Sequence, residues 1–265
     1  MKEGREIHST AIIDPKARIG ENVLVGPYCI IGPNVEIGNG CKLYANVYME
    51  GHTKVGNENQ FYPYSTIGTP PQDINYKNEP TRVEIGNNNL FREFVSIHRG
   101  TAKDHSLTKI GSGNLFMSYV HVGHDAQIGN SGVFANSINF AGHVKIGDNC
   151  ILGGSCSVSQ YVTVGRGCYI GGASAIDRDV PLFCMGLGNR LRLKGINIIG
   201  MKRQGYPREI VSEVVDFYRN MEASALSPRA FVSDKKSMEA YEHNEVVMEM
   251  SNMISNSKIG MASFS

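Results

Sequence analysis

Residues 121–158 read HVGHDAQIGNSGVFANSINFAGHVKIGDNCILGGSCSV, and from Val122 every sixth residue is large and apolar: Ile128, Phe134, Phe140, Ile146, Leu152 and Val158. This period is neither the 3.6 of a helix nor the 2 of a plain strand, and a fixed period marks a repeat architecture. The same phase runs back through Phe116 to Ile110 and forward through Val164 and Ile170 to Ile176. An earlier run steps by six from Ile7 through Ile13, Ile19 and Val25 to Ile67, then resumes in phase at Ile85, Phe91 and Ile97. Each hexad reads as one short strand and one turn, with glycine often following the apolar residue, where a corner needs positive φ or close backbone approach. Small or modest residues four places on, such as Ala17, Val23, Val47, Ala126 and Val144, fill the corners. The pattern is a parallel β-helix: three hexads close one triangular coil, and coils stack at about 4.8 Å into a prism on the order of 40 Å long. One coil cannot bury its apolar residues alone, so the stack forms together.

Two stretches interrupt the pattern. Residues 69–82, TPPQDINYKNEPTR, preserve the phase, whereas residues 98–109, HRGTAKDHSLTK, shift it by one. Pro70, Pro71 and Pro80 cannot continue strands, so both stretches project as polar loops able to close over a groove. From about residue 206 the composition changes: all but one of the 30 glycines lie before this point, and apolar residues take helical spacing. Pro207 suits a first helical turn, with Ile210, Val211, Val214, Phe217, Tyr218 and Met221 on one face; Pro228 opens a second helix, and Val246, Val247, Met250 and Ile254 mark a third stripe. The expected organisation is a mainly β chain, with a β-helix over 1–190 carrying both loops and a connector with a C-terminal α-helical tail over 191–265.

With 26 Lys and Arg against 25 Asp and Glu, the net charge of +1 points away from nucleic acid as a partner. No run of 18 apolar residues suits an integral membrane segment, and the opening MKEGREIHST has no apolar signal core, so the chain reads as cytoplasmic. Cys29, Cys41, Cys150, Cys156 and Cys168 all take the fifth place of their hexads, which makes them buried corner filler. Only Cys184 lies outside the pattern. No close cysteine pair has zinc-finger spacing, and disulfides are not expected in that compartment.

The chemistry gathers elsewhere. With eighteen residues per coil, Gly142 stacks over His124, Gln160 over Gly142, and His143 over Asp125, while His121 lies half a hexad before His124. Imidazole is a natural general base for a sugar hydroxyl, and a neighbouring carboxylate orients it, which assigns those parts to His124 and Asp125. Glycine at 142 leaves its N–H open to an oxyanion during acyl transfer. With no nucleophilic Ser or Cys in evidence, direct attack by the acceptor hydroxyl on a thioester is the simpler route.

The hexads, QDINYKNEPTRVEIG (72–86), SIHRGT (96–101), HVGHDA (121–126), AGHV (141–144), GGASA (171–175) and GNR (188–190) together resemble the UDP-N-acetylglucosamine 3-O-acyltransferases of lipid A biosynthesis over nearly the full chain. The resemblance implies a left-handed β-helix, since handedness does not follow from the period. It also implies transfer of an (R)-3-hydroxyacyl group from acyl carrier protein to a UDP-sugar, by a homotrimer with sites between subunits and no cofactor or metal. Residue by residue, His124 matches the base, Asp73 and Asp125 acids around sugar and base, and Gly142 the oxyanion donor. Gln72, His121, His143 and Gln160 match substrate-site positions, Asn197 and Arg203 nucleotide contacts, and Gly172 the place that limits acyl length. Glycine there implies a long acyl chain. Asn75, Ser159, Ile199 and Gln204 replace a lysine, a histidine, an acid and an arginine usual in the family, which leaves a 3-amino sugar nucleotide open as the acceptor. The acid-free basic stretch holding Arg190, Arg192, Lys194, Lys202, Arg203 and Arg208 suits an acidic carrier protein.

A γ-type carbonic anhydrase, also built from hexapeptide coils and binding zinc through histidines, is the rival enzyme, although the loops, tail and histidine spacing resemble it less. A non-catalytic scaffold would explain the repeat and leave His124 idle. The related N-acyltransferase of the same pathway carries a domain before its hexads, whereas hexads here begin at Ile7.

Overall fold

Side chains alternate across a strand, so in each short strand one residue faces out while the hexad's apolar residue faces in. Leu90 is half-buried and Phe91 buried, and Ile30 exposed and Ile31 buried, in the two strands they form. Successive strands fall in turn on three parallel sheets. Sheet A begins with Glu6–Ile7 and Leu24–Val25, sheet B with Ile12–Ile13 and Ile30–Ile31, and sheet C with Arg18–Ile19 and Val35–Ile37. The computed structural model describes residues 4–265, and its architecture is the expected left-handed parallel β-helix with a helical tail.

Register explains the two interruptions. Ile7 pairs with Val25, eighteen residues on, but Phe61 pairs with Phe91 across thirty, so the first insertion adds two whole hexads. Ile85 pairs with Ile110 across twenty-five, so the second adds a hexad and one residue, which is the phase shift seen in sequence. Strands extend further than expected, through Thr69 and from Arg82 around the first loop, and through His98 and from Leu107 around the second. The irregular segments are therefore residues 70–81 and 99–106, shorter than 69–82 and 98–109, because main-chain pairing with adjacent coils continues to their edges. Both leave the corner between sheets B and C on consecutive coils.

Inside the prism, stacked rows of apolar side chains replace a conventional core. Phe61, Phe91 and Phe116 are buried with ring centroids 4.8 and 4.9 Å apart, at interplanar angles of 7° and 14°. A buried amide ladder runs beside them: Asn89 donates N–H and Nδ2–H to Asn59 Oδ1, each at 2.9 Å, and Asn114 does the same to Asn89 Oδ1. All six cysteines are free and buried. Ile7, on the first described coil, is 47% exposed, since no coil among the described residues covers it.

The far end is closed differently. Cys184–Leu187 continues sheet A and turns back antiparallel into Arg192–Ile196, so the expected division at 190/191 would cut a hairpin. Five helices follow: α1 (Ile198–Arg203), α2 (Arg208–Ala223), α3 (Pro228–Ser233), α4 (Lys235–Met238) and α5 (Glu245–Asn256). Val211, Val214, Phe217, Tyr218 and Met221 of α2 are buried, as are Val246, Val247, Met250 and Ile254 of α5, which matches the apolar stripes. Pro228 sits in the first turn of α3, behind an Ser227 cap. Arg166 on the coil binds Glu249 of α5, with Nε 2.9 Å from Oε1, and Tyr206 Oη at 2.7 Å. The chain end returns as a strand, Ser263–Phe264, beside Arg192–Leu193.

Phe91→Ala should lower the free energy of unfolding by about 3–5 kcal/mol, the range for emptying a packed aromatic site. Urea denaturation followed by circular dichroism measures this; a loss below about 1 kcal/mol would show that the phenylalanine row is not a shared core.

Candidate active site

Parallel stacking brings four separate stretches to the corner between sheets B and C. His121 lies in a sheet B strand, His124 and Asp125 form the corner that follows it, Gly142 and His143 the next corner, and Gln160 the one after. Asp125, His143 and Tyr161 hold the left-handed conformation, with φ of 59°, 62° and 66°, a cost that the stacked coils on either side sustain.

His124 is buried and its Nδ1 lies 2.9 Å from Asp125 Oδ2. Its ring is pressed against Gly142: a Cβ on that glycine would lie 2.5 Å from His124 Cε1 and 2.7 Å from Nε2. Glycine is thus required there, and its own N–H donates to no acceptor among the described residues. His143 meets the His124 ring edge-on at 5.0 Å, stacks on Tyr161 at 4.6 Å, and places Nδ1 3.0 Å from Asp104 Oδ2. His121 Nδ1 bonds Ser96 Oγ at 2.8 Å; burial first, then the nearby His124, lowers its pKa.

Burial raises the Asp125 pKa, but hydrogen bonds from His124 and from the Thr101 hydroxyl and amide, together with the His143 charge, outweigh it and leave the pKa below the usual value. Asp73 on the first loop receives Lys103 Nζ at 2.6 Å, and its Oδ1 accepts the Asn75 N–H at 2.8 Å; Lys103 and that amide hold its pKa at about 2. The two insertions are clasped by this pair and by Arg99, whose Nε donates to Tyr76 Oη at 2.9 Å.

Other expected site residues lie apart in the single chain. Gly172 occupies the opposite edge of sheet B, three coils beyond His121 and so roughly 14 Å along the axis. Asn197 caps α1 through its Oδ1 and donates Nδ2–H to Gly167 O at 2.9 Å, at the corner between sheets C and A. Its amide is a structural joint on a third edge. Arg203 is exposed in the last turn of α1.

Several residues of the site escaped sequence reasoning. Thr101, Asp104 and Lys103 lie in an irregular insertion, where stacking arithmetic gives no position. His98 and Tyr161 were within reach of that arithmetic, since His98 follows the same sheet B strand position as Gly123 and Tyr161 the corner of His143. His98 is buried edge-on to His121 at 4.7 Å, and its Nδ1 has no partner among the described residues. Burial, His121, His124 and Arg99, in that order, lower its pKa to about 4. Lys103 of the second loop and Asn75 of the first both meet the Asp73 carboxylate, the lysine at Oδ2 and the amide at Oδ1.

One nitrogen of each of His124 and His143 and one Asp125 oxygen lie within 4.8 Å of one another, a donor set that also suits a metal ion. Asp125 Oδ2, however, already accepts from Thr101 Oγ1 at 2.7 Å and faces His124 Nδ1, the arrangement of an oriented acid–base pair.

Hexapeptide coils carrying such a pair beneath a bare glycine amide define a transferase of the hexapeptide-repeat class. The bacterial transferase hexapeptide family matches residues 6–39 and 16–51, the hexapeptide repeat of succinyl-transferase residues 143–178, and Udp N-acetylglucosamine O-acyltransferase, Domain 2, residues 179–262. The acyl-(acyl-carrier-protein)--UDP-N-acetylglucosamine O-acyltransferase of Thermodesulfovibrio yellowstonii is 42% identical over 214 residues, covering 81% of this chain and 83% of the relative. That of Saccharophagus degradans is 40% identical over 228 residues, covering 86% and 88%. Among solved structures, the UDP-N-acetylglucosamine acyltransferase of Bacteroides fragilis superposes with a TM-score of 0.92 at 36% identity, covering 96% of this chain and 99% of its own. This chain belongs to the UDP-N-acetylglucosamine O-acyltransferase family.

Because the folded-state pKa of His98 lies below the unfolded value of about 6.5, the unfolded chain binds the extra proton first. Stability should therefore rise with pH between about 4 and 6.5 and level off above. His98→Gln should remove up to about 3 kcal/mol of that rise in urea titrations across pH; an unchanged slope would rule out His98 as its source.

Proposed function

We propose that this protein transfers an (R)-3-hydroxyacyl group from acyl carrier protein to the glucosamine 3-hydroxyl of UDP-N-acetylglucosamine, the first step of lipid A biosynthesis. One observation carries the mechanism: His124, bonded to Asp125, lies directly beneath Gly142. His124 takes the proton of the acceptor hydroxyl while that oxygen attacks the thioester carbonyl. The oxyanion takes the Gly142 N–H, and collapse breaks the C–S bond, with the proton passing from His124 to the departing thiolate. Gln72, Asp73, His121, His143 and Gln160 hold the sugar nucleotide.

A homotrimer with sites between subunits accounts for the separated residues, since a neighbouring copy can bring Asn197 and Arg203 to the His124 corner. Tyr64, Phe94 and Tyr119 support such an assembly: they stack at 5.0 and 4.8 Å along the edge between sheets A and B, 52%, 42% and 57% exposed in the single chain. The basic stretch around Lys194, Lys202 and Arg203 suits the acidic carrier. Gly172, three coils from the base, leaves room for the far end of a long acyl chain. No described helix is long and apolar enough to cross a membrane, which agrees with a cytoplasmic site of action. The cation that Lys103 places on Asp73 favours a neutral hydroxyl acceptor over a protonated 3-amino one.

His124→Ala should lower acyl transfer by about 10²–10⁴-fold with its urea midpoint retained, the scale of a lost general base. Wild-type turnover in that variant would remove the base assignment, and activity that requires stoichiometric zinc would favour the carbonic anhydrase. Turnover of hydroxyacyl donors should rise with chain length, and Gly172→Met should shift the preference to shorter ones; a wild-type preference for the shortest donor would overturn the reading of Gly172.

A further inference from the structure

Among the described residues Asp125 is the only hydrogen-bond partner of the His124 ring, so whatever fixes this carboxylate fixes the base. The grip comes from the second insertion. Thr101 donates its N–H to Asp125 Oδ1 at 2.9 Å and Oδ2 at 3.0 Å, and its hydroxyl to Oδ2 at 2.7 Å. Asp125 in turn donates its own N–H to Thr108 Oγ1, 2.8 Å away on the strand that follows the insertion. Thr101, Thr108 and Asp125 are 3%, 0% and 3% exposed, so water does not compete for these bonds. The carboxylate is held at its head by Thr101 and at its root by Thr108.

We propose that Thr101 is a positioning residue of the acyl transfer, which fixes the Asp125 carboxylate and through it the Nδ1–H tautomer and orientation of His124. Oδ2 takes the Thr101 hydroxyl on one side and His124 on the other, so the hydroxyl sets the direction from which His124 Nδ1–H can donate. With Nδ1 protonated and turned to Asp125, Nε2 carries the free lone pair, and it is the nearer of the two nitrogens to a Cβ built on Gly142, at 2.7 Å against 2.9 Å. The base and the oxyanion donor are thereby neighbours, the one able to take the proton of the attacking hydroxyl and the other to meet the carbonyl oxygen. The other contacts on these groups also come from the insertion or from stacked coils: Asp104 faces His143 Nδ1, and His143 Nε2 lies 3.8 Å from Asp125 Oδ2.

The uneven length of the insertion takes its meaning from this grip. Six added residues would keep the hexad phase, whereas the seven present let the chain leave sheet B after His98, present Thr101 to the carboxylate, and rejoin sheet C with Thr108 beneath the Asp125 amide. Gly100 is part of the fit. A Cβ there would lie 2.2 Å from Leu107 N and 2.8 Å from Asp125 Oδ1, so only glycine lets the loop pass this close to the acid.

The proposal rests on His124 acting as the base, and the test separates the two. Thr101→Val keeps the shape and removes the hydroxyl; Thr101→Ser restores it. In the Val variant kcat should fall about 10–100-fold, the worth of one hydrogen bond to a charged group, with KM for both substrates within about twofold, and the Ser variant should recover most of the loss. Nitrogen-15 NMR of the histidine rings, recorded without substrate, should show His124 as the Nδ1–H tautomer in wild type and Ser variant and as a mixture in the Val variant. A Val variant with wild-type kcat, a Ser variant as impaired as Val, a loss confined to KM, or an unchanged tautomer would each overturn the proposal. A tautomer shift in an enzyme that shows no acyl transfer would instead count against the proposed reaction and leave the positioning intact.

Discussion

The main-chain hydrogen bonds between successive coils are the constraint on which the rest depends. His121 N–H reaches Ile138 O and Gly123 N–H reaches Phe140 O, each at 2.8 Å, and the same step repeats along the prism. Pairing of this kind keeps the apolar rows in register, because a slip of the paired strands would turn a row of apolar side chains outward, so the odd residue of the second insertion is taken up in its loop. The chain is therefore a ruler, and residues far apart in sequence become neighbours at intervals of eighteen. Apolar rows, an asparagine ladder and the column of candidate site residues are three uses of the same spacing.

The site shows how far such a ruler reaches. Regular stacking supplies His124, Gly142, His143 and Gln160 in order up one edge, yet leaves them as a column of groups with no fixed direction. Direction comes from the irregular pieces. Both insertions leave the same corner, clasp each other through Lys103 with Asp73 and Arg99 with Tyr76, and fold back over the column. Regular coils give height along the axis, and the loops give aim.

Electrostatics follow the same division. The imidazoles and Thr101 keep Asp125 ionised although it is buried, while His98, with no partner for Nδ1 among the described residues, is held neutral by desolvation and neighbouring positive groups. Two kinds of buried titratable group thus sit within one wall, a carboxylate kept charged by hydrogen-bond donors and an imidazole denied charge by burial and nearby positive groups.

The hexad period determined the coil, its three faces, the five cysteines at its corners and the column of candidate site residues, since all of these follow from counting by six and eighteen. Apolar spacing likewise marked the faces of α2 and α5. What counting could not place was anything outside the period. Thr101, Lys103 and Asp104 reach the site through side-chain contacts of an insertion, and the hairpin after residue 184 and the strand at 263–264 pair by antiparallel and long-range register that no repeat encodes. The resemblance marked Asn197 as a nucleotide contact, and only the fold showed it as the cap of α1. A periodic chain fixes position by local arithmetic; hydrogen-bond partners of irregular segments depend on the whole chain being folded, and there the tertiary structure alone decided.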